Sequence, residues 1–128
     1  MFDRIETLRM AGALTTHASE RQRLIARNVA NADTPGFRSK DLGRFAETYR
    51  SDAATAMRAT RPGHATGITW GDTPRAHDGG DEPAPNGNSV SLEEEMIRTA
   101  QARREFDVSV AVMRSSLSMI RTSLGRRT

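Results

Sequence analysis

Residues 91–124 read SLEEEMIRTAQARREFDVSVAVMRSSLSMIRTSL, and within them Leu92, Met96, Thr99, Arg103, Phe106, Val110, Met113, Leu117, Ile120 and Leu124 recur at alternating steps of four and three. Only Thr99 and Arg103 interrupt an otherwise apolar series. That is the a/d spacing of a coiled coil, held over 33 residues. As one helix the stretch is about 50 Å long at about 1.5 Å per residue. A chain of 128 residues cannot wrap a compact globule around such an element. The stripe therefore predicts long helical partners, from this chain or from its neighbours.

Both ends of this helix carry stop signals. Ser91 with Glu94 forms a capping box, in which Ser91 accepts from the N3 amide and Glu94 reaches back to the cap. Glu93, Glu94 and Glu95 place negative charge at the positive end of the dipole, and Arg121, Arg126 and Arg127 lie at the negative end. Gly125 follows Leu124 as a C-terminal cap.

Upstream, the chain from about Asp3 to Ala32 is free of proline and interrupted only by Gly12. Leu14, Ala18, Ile25, Val29 and Ala32 share one helical face, with Arg21 or Gln22 in the slot between Ala18 and Ile25. Pro35 ends this helix, because the residue before a proline is pushed out of the α region. Thr34-Pro35-Gly36-Phe37 has Pro and Gly in the central positions of a type II turn.

The expected fold is mainly α, with the N- and C-terminal helices pairing as an antiparallel, coiled-coil-like hairpin. Three zones follow: an N-terminal helix over 1–33, a turn and irregular central region over 34–88, and a C-terminal helix over 89–128. Within the centre, Asp41 to Met57 has room for a short helix on Leu42, Phe45 and Tyr49. Thr66-Gly67-Ile68-Thr69-Trp70 is strand-like but short. Asp78 to Asn88 is polar and rich in Gly and Pro, and reads as a mobile loop or linker.

Composition narrows the function classes. Hydrophobic residues are 36% and aromatics 5%, a thin supply for a self-sufficient core. Of the 19 basic residues 18 are Arg, and the formal charge is +3. That balance permits nucleic-acid contact without demanding it, since Arg also serves as a solvated helix former. The absence of cysteine excludes disulfides, thiolate nucleophiles and cysteine metal sites. No run approaches the ~20 apolar residues of a membrane span, and the charged N-terminus lacks the apolar core of a secretory signal. His17, His64 and His77 have no spacing that converges on a metal. No Ser/His/Asp constellation, phosphate loop or complete calcium loop can be read, so no enzyme, cofactor or small-molecule substrate is expected.

The stretch from Leu24 to Phe37 contains Asn28, Ala30, Asn31, Thr34, Pro35, Gly36 and Phe37. This resembles the N-terminal signature of the bacterial flagellar rod and hook axial proteins, a long helix ending in Asn-x-Ala-Asn followed by Thr-Pro-Gly and an aromatic residue. Arg21-Gln22-Arg23, Asp41, Thr60-Arg61-Pro62-Gly63-His64 and the run Gly87-Asn88-Ser89-Val90-Ser91-Leu92-Glu93-Glu94-Glu95-Met96 resemble the shortest, proximal-rod class of that family. One departure stands at Ala102, where the family usually has Asn four residues before an aromatic, here Phe106.

The resemblance implies a structural subunit of the flagellar basal-body rod. Its terminal helices would build the wall of an axial tube that carries torque from motor to hook and filament. It also implies export without a cleavable signal, a place in the periplasmic part of the basal body, and three kinds of partner: other copies and neighbouring rod proteins, the membrane-ring junction protein, and the export apparatus. Phe45-Ala46-Glu47-Thr48-Tyr49 resembles the Phe-x-x-x-apolar pattern linked with export-gate recognition in such subunits; a short helix explains it as well. On the residues alone, two alternatives compete: an Arg-rich helical nucleic-acid-binding protein and a cytoplasmic coiled-coil adaptor.

Overall fold

A computed structural model of the protein describes residues 2–49, 61 and 75–125. Helix α1 spans Phe2–Ala30, strand β1 Lys40–Leu42, a helical segment α2 residues 45–49, strand β2 Ala76–Asp78, and helix α3 Leu92–Ser123. The protein is mainly helical, with α1 and α3 lying against each other. A two-stranded antiparallel sheet sits beside them, in the register Lys40↔Asp78, Asp41↔His77, Leu42↔Ala76.

Side-chain bonds between the two helices fix the antiparallel sense. Asn28 meets Glu95 at 3.0 Å, Arg21 meets Glu105 at 3.4 Å, and Thr15 donates to Ser109 at 2.9 Å. As one helix ascends the other descends, so the hairpin has the expected form.

Its inner face, however, is not the apolar stripe. The buried residues of α3 are Glu95, Arg98, Ala102, Ser109 and Ser116, with Glu105 and Val112 half-buried between them. Each stands one position before a stripe residue, which rotates the stripe by about 100° from the contact with α1. On α1 the facing set is Ala11, Ala18, Ile25 and Asn28, with half-buried Leu14 and Arg21 completing the heptad. The α1 face inferred from sequence shifts accordingly. Val29 is 45% exposed, and its neighbour Asn28 points inward instead.

Small residues on both helices let the backbones approach, and polar bonds supply what apolar bulk would otherwise give. A second buried cluster, Ala13, His17, Leu24 and Leu42, lies on the side of α1 that faces the strands and α2. His17 shares its Nε2 with the carbonyl of Gly43 at 2.9 Å, and its ring meets Phe45 edge-on at 5.6 Å. His17 is thus a packing residue of the shoulder.

Two central elements differ from expectation. Leu42 ends a strand rather than starting a helix, and helix begins only at residue 45. Residues 50–57, Thr60-Arg61-Pro62-Gly63-His64 apart from Arg61, and the strand-like run Thr66 to Trp70 lie outside the described residues. The segment from Asp78 to Asn88 is not a free linker. Gly79 N donates to Ser39 O at 2.9 Å, Gly36 N to Asn86 O at 3.1 Å, and Ala84 N to Asn88 O at 2.8 Å. Gly79 has a side-chain reason to be glycine: a Cβ there would lie 2.6 Å from Ser39 Oγ.

Candidate assembly interface and the polar knot behind it

The turn after α1 forms as its residues require. Gly36 adopts φ +72°, which glycine reaches without a Cβ penalty. Phe37 N donates to Thr34 O at 3.3 Å, closing the type II turn around Pro35. Phe37 is half-buried, while Ala30, Thr34, Pro35 and Gly36 are exposed. Asn31 acts as a local cap, donating to Arg27 O at 2.8 Å and accepting from Thr34 Oγ1 at 3.3 Å.

Asn28 does something local capping does not anticipate. Its amide pairs with both backbone groups of Lys40, donating to Lys40 O at 2.9 Å and accepting from Lys40 N at 3.1 Å. The side chain imitates a neighbouring strand and satisfies an edge that would otherwise be orphaned. The same amide nitrogen reaches Glu95 Oε1 at 3.0 Å. One buried Asn thus joins α1, β1 and α3.

Asn88 holds the opposite side of the turn. Its amide nitrogen lies within 3.0 Å of the carbonyls of Asn31, Ala32 and Thr34, so it gathers the carbonyls of the turn that follows α1. Its Oδ1 accepts from Val90 N at 2.8 Å, just before the Ser91 cap of α3. Ser91 accepts from Glu94 N at 3.5 Å, whereas the Glu94 carboxylate turns to Arg98 Nε at 3.8 Å. At the other end Gly125 takes φ +64°, and Leu124 N donates to Ile120 O at 3.0 Å, as a glycine-terminated helix requires.

Between these two Asn residues lies a knot of charges. Arg98 Nη1 donates to Glu95 Oε1 at 2.8 Å and Nη2 to Asp81 Oδ1 at 2.9 Å, with Nε 3.8 Å from Asp41 Oδ2. Arg21 grips Asp41 with two bonds of 3.0 and 3.1 Å and reaches on to Glu105. Asp81 also accepts from Ser39 Oγ at 3.1 Å. The knot draws on both long helices, β1 and the loop after β2. Sequence spacing gives no sign of it, because Glu95 and Arg98 look like an ordinary surface pair three residues apart. Arg21 and Asp41 were singled out for their resemblance to one class; the structure shows them bound to each other.

Burial sets the two principal carboxylates apart. Glu95 is fully buried, and desolvation raises its pKa against the opposing pull of Asn28 and Arg98. Its Oε2 has no partner among the described residues. Burial pushes Asp41 upward too, but the Arg21 bonds, the Leu42 amide and the charges of Arg21 and Arg98 together hold its pKa below the usual carboxylate range. The signs of the pH dependence are therefore opposite. Folding binds the Glu95 proton more tightly, so stability rises as pH falls through the raised Glu95 value. Ionised Asp41 favours the fold, and its contribution is lost as pH falls further, from the ordinary Asp value down through its depressed one. A chemical-denaturation series should show unfolding free energy passing through a maximum in mild acid. Glu95→Gln should remove the rise and Asp41→Asn the fall; a profile unchanged by both would contradict these assignments.

Outside the knot, the α3 stripe lies open. Leu92, Met96, Leu117 and Leu124 are 53%, 75%, 41% and 75% exposed. Thr99 and Arg103 are exposed, and Phe106, Val110, Met113 and Ile120 half-buried. Ala102, at the family's usual Asn position, is fully buried in the hairpin contact. Among the described residues no group of three His, Asp or Glu could hold a metal, and no helix is long and apolar enough to cross a membrane.

These features define the chain as a long helical hairpin pinned at its turn by a polar knot, with its most apolar stripe turned about 100° from the contact with its partner helix and only partly covered. Similarity to known proteins narrows the class. The chain is 30% identical to the flagellar basal body rod protein FlgB of Agrobacterium fabrum over 95% of both chains. It is 25% identical to the FlgB of Escherichia coli, over 88% of this chain and 89% of that one. With the FlgB of Aeromonas hydrophila it shares 29% identity over 78% of each. No protein-family model matches the chain. The chain belongs to the FlgB family of flagellar basal body rod proteins.

Proposed function

We propose that this chain is a structural subunit of the flagellar rod whose α3 stripe is buried by neighbouring rod subunits, and that the assembled stripes carry torque along the rod. The supporting observation is the offset between the two faces of α3. Its buried face is Glu, Arg, Ala and Ser, while Leu92, Met96, Leu117 and Leu124 of the apolar stripe are exposed and Phe106, Val110, Met113 and Ile120 only half-covered. An exposed apolar stripe on a helix of this length is a contact surface awaiting cover. Sliding one subunit along another would expose that stripe at about 25 cal/mol per Å², which resists twisting. Family membership supports placement in the basal body. Export without a cleaved leader, contact with the membrane-ring junction protein and the motif set Asn28, Ala30, Asn31, Thr34, Pro35, Gly36 and Phe37 as a shared assembly element belong to the same proposal.

The nucleic-acid alternative loses support, because Arg21, Arg23 and Arg98 are engaged by carboxylates of the same chain. A strain lacking the gene is expected to yield basal bodies that end at the membrane ring, without rod or hook. Complete rods in that strain would overturn the proposal.

A further inference from the structure

We infer that Asn86 is a site of spontaneous covalent change, cyclising onto Gly87 and ending as aspartate or isoaspartate, and that the folded turn holds this reaction off. The four asparagines of the chain, Asn28, Asn31, Asn86 and Asn88, are followed by Val29, Ala32, Gly87 and Ser89. Only Asn86 precedes a glycine. A glycine nitrogen has no neighbouring Cβ to hinder its approach to the side-chain carbonyl carbon before it, so Asn86 closes most readily of the four. Asn86 and Gly87 are also exposed, whereas Asn28 and Asn88 are buried and Asn31 is half-buried.

The turn needs this glycine. Gly87 adopts φ +79°, which side chains disfavour, and it does so beside the turn after α1, where Gly36 N donates to Asn86 O at 3.1 Å. The chemical weakness therefore comes with the fold, and hydrogen bonds offset it. Gly87 N donates to Ala84 O at 2.7 Å, and Asn86 Oδ1 accepts from Asn88 N at 3.0 Å. Cyclisation requires the Gly87 nitrogen to lose its proton and approach Asn86 Cγ, so both bonds have to open first. Two bonds of ordinary net strength make that opening rarer by about tenfold or more.

The reaction uses only water. Solvent base takes the Gly87 amide proton, the nitrogen bonds to Asn86 Cγ, and the Cγ–Nδ2 bond breaks with release of ammonia. Water then opens the cyclic imide. Attack at Cγ restores the main chain with an aspartate at 86; attack at the main-chain carbonyl carbon leaves isoaspartate, with the chain routed through Cβ and Cγ. Nothing is oxidised or reduced. In the isoaspartyl form the oxygen that met Gly36 N belongs to a free carboxylate, and the path to Asn88 is one carbon longer. The Asn88 grip on the carbonyls of Asn31, Ala32 and Thr34 is then displaced.

Peptide mapping of the full chain by mass spectrometry tests this, with an isoaspartyl methyltransferase to mark the isomer. Unfolded in guanidinium at mildly alkaline pH, the chain should convert at Asn86 well before Asn28, Asn31 or Asn88, and Gly87→Ala should abolish that lead. In basal bodies isolated from the bacterium and held in the same buffer without denaturant, Asn86 should convert at least about tenfold more slowly. That second arm rests on the rod reading. Conversion shared evenly among the asparagines, or equal rates at Asn86 in the two arms, would overturn the inference. Basal bodies that lack the chain would overturn the rod reading instead, with Asn86 still judged by the unfolded chain.

Discussion

Replacing Arg98 with alanine is expected to destabilise the hairpin by about 3–5 kcal/mol, the range for removing one partner of a buried ion pair. The guanidinium side chain is only 8% exposed and is the shared cation of Glu95 and Asp81, with Asp41 and Glu94 at 3.8 Å. Without it, fully buried Glu95 keeps one neutral donor, Asn28, and an unpartnered second oxygen. The loop through Asp81 loses its tie to α3, so the Asn88 clamp on the turn after α1 should loosen with it. Denaturant unfolding would read the loss, and amide exchange at Gly79 and Ser89 would show whether the loop detaches first. A loss below about 1 kcal/mol, the level of an exposed pair, would show that the knot is ornamental. Arg98→Met with Glu95→Leu is the instructive companion. Replacing the pair by apolar groups of similar size should recover the part of the loss that comes from stranding buried Glu95, because those two charges leave together, while the Asp81 tie stays broken.

Leu117→Glu separates folding from assembly. Leu117 is exposed on the hairpin, so the isolated chain should keep its stability within about 0.5 kcal/mol, as surface substitutions generally do. In the bacterium that makes the protein, the same change should abolish swimming in soft agar while the protein accumulates normally. A carboxylate held in a closed subunit contact must be desolvated or must force the contact apart. Normal swimming by this variant would remove the stripe from the assembly surface. Ser116→Glu, one residue earlier, should have the opposite profile: buried between the helices, it should fail in the test tube first.

Much of this architecture could be read in advance. Ser91, the Thr34–Phe37 turn and Gly125 fix local conformation through their immediate neighbours, so they were legible. Helix existence was legible for the same reason. What periodicity could not tell was where each face points. An apolar stripe marks where a helix seeks cover, and it was natural to expect the other helix to supply part of it. The two helices instead meet through residues that look like surface on a helical wheel: Glu95, Arg98, Ser109 and Ser116. Asn28 and Asn88 were recognisable as a signature, but their work is long-range, on Lys40 and on the carbonyls from Asn31 to Thr34. No spacing rule encodes bonds that span 12 residues for Asn28 to Lys40 and 54 to 57 for Asn88 to the turn. The Gly- and Pro-rich loop looked mobile by composition, and is tied down by groups contributed from elsewhere.

The small, hydrophilic lining of the hairpin has one more consequence. A zipper greased with leucine would leave a sticky strand each time it opened. Here the parted surfaces are mostly alanine, serine, asparagine and ionic groups that water wets readily, with Leu14, Ile25 and Val112 as the few bulky apolar members, so an unzipped molecule has less reason to clump with its fellows along that side. The oily edge lies on the adjoining flank, about 100° round the helix, where the proposed assembly would cover it.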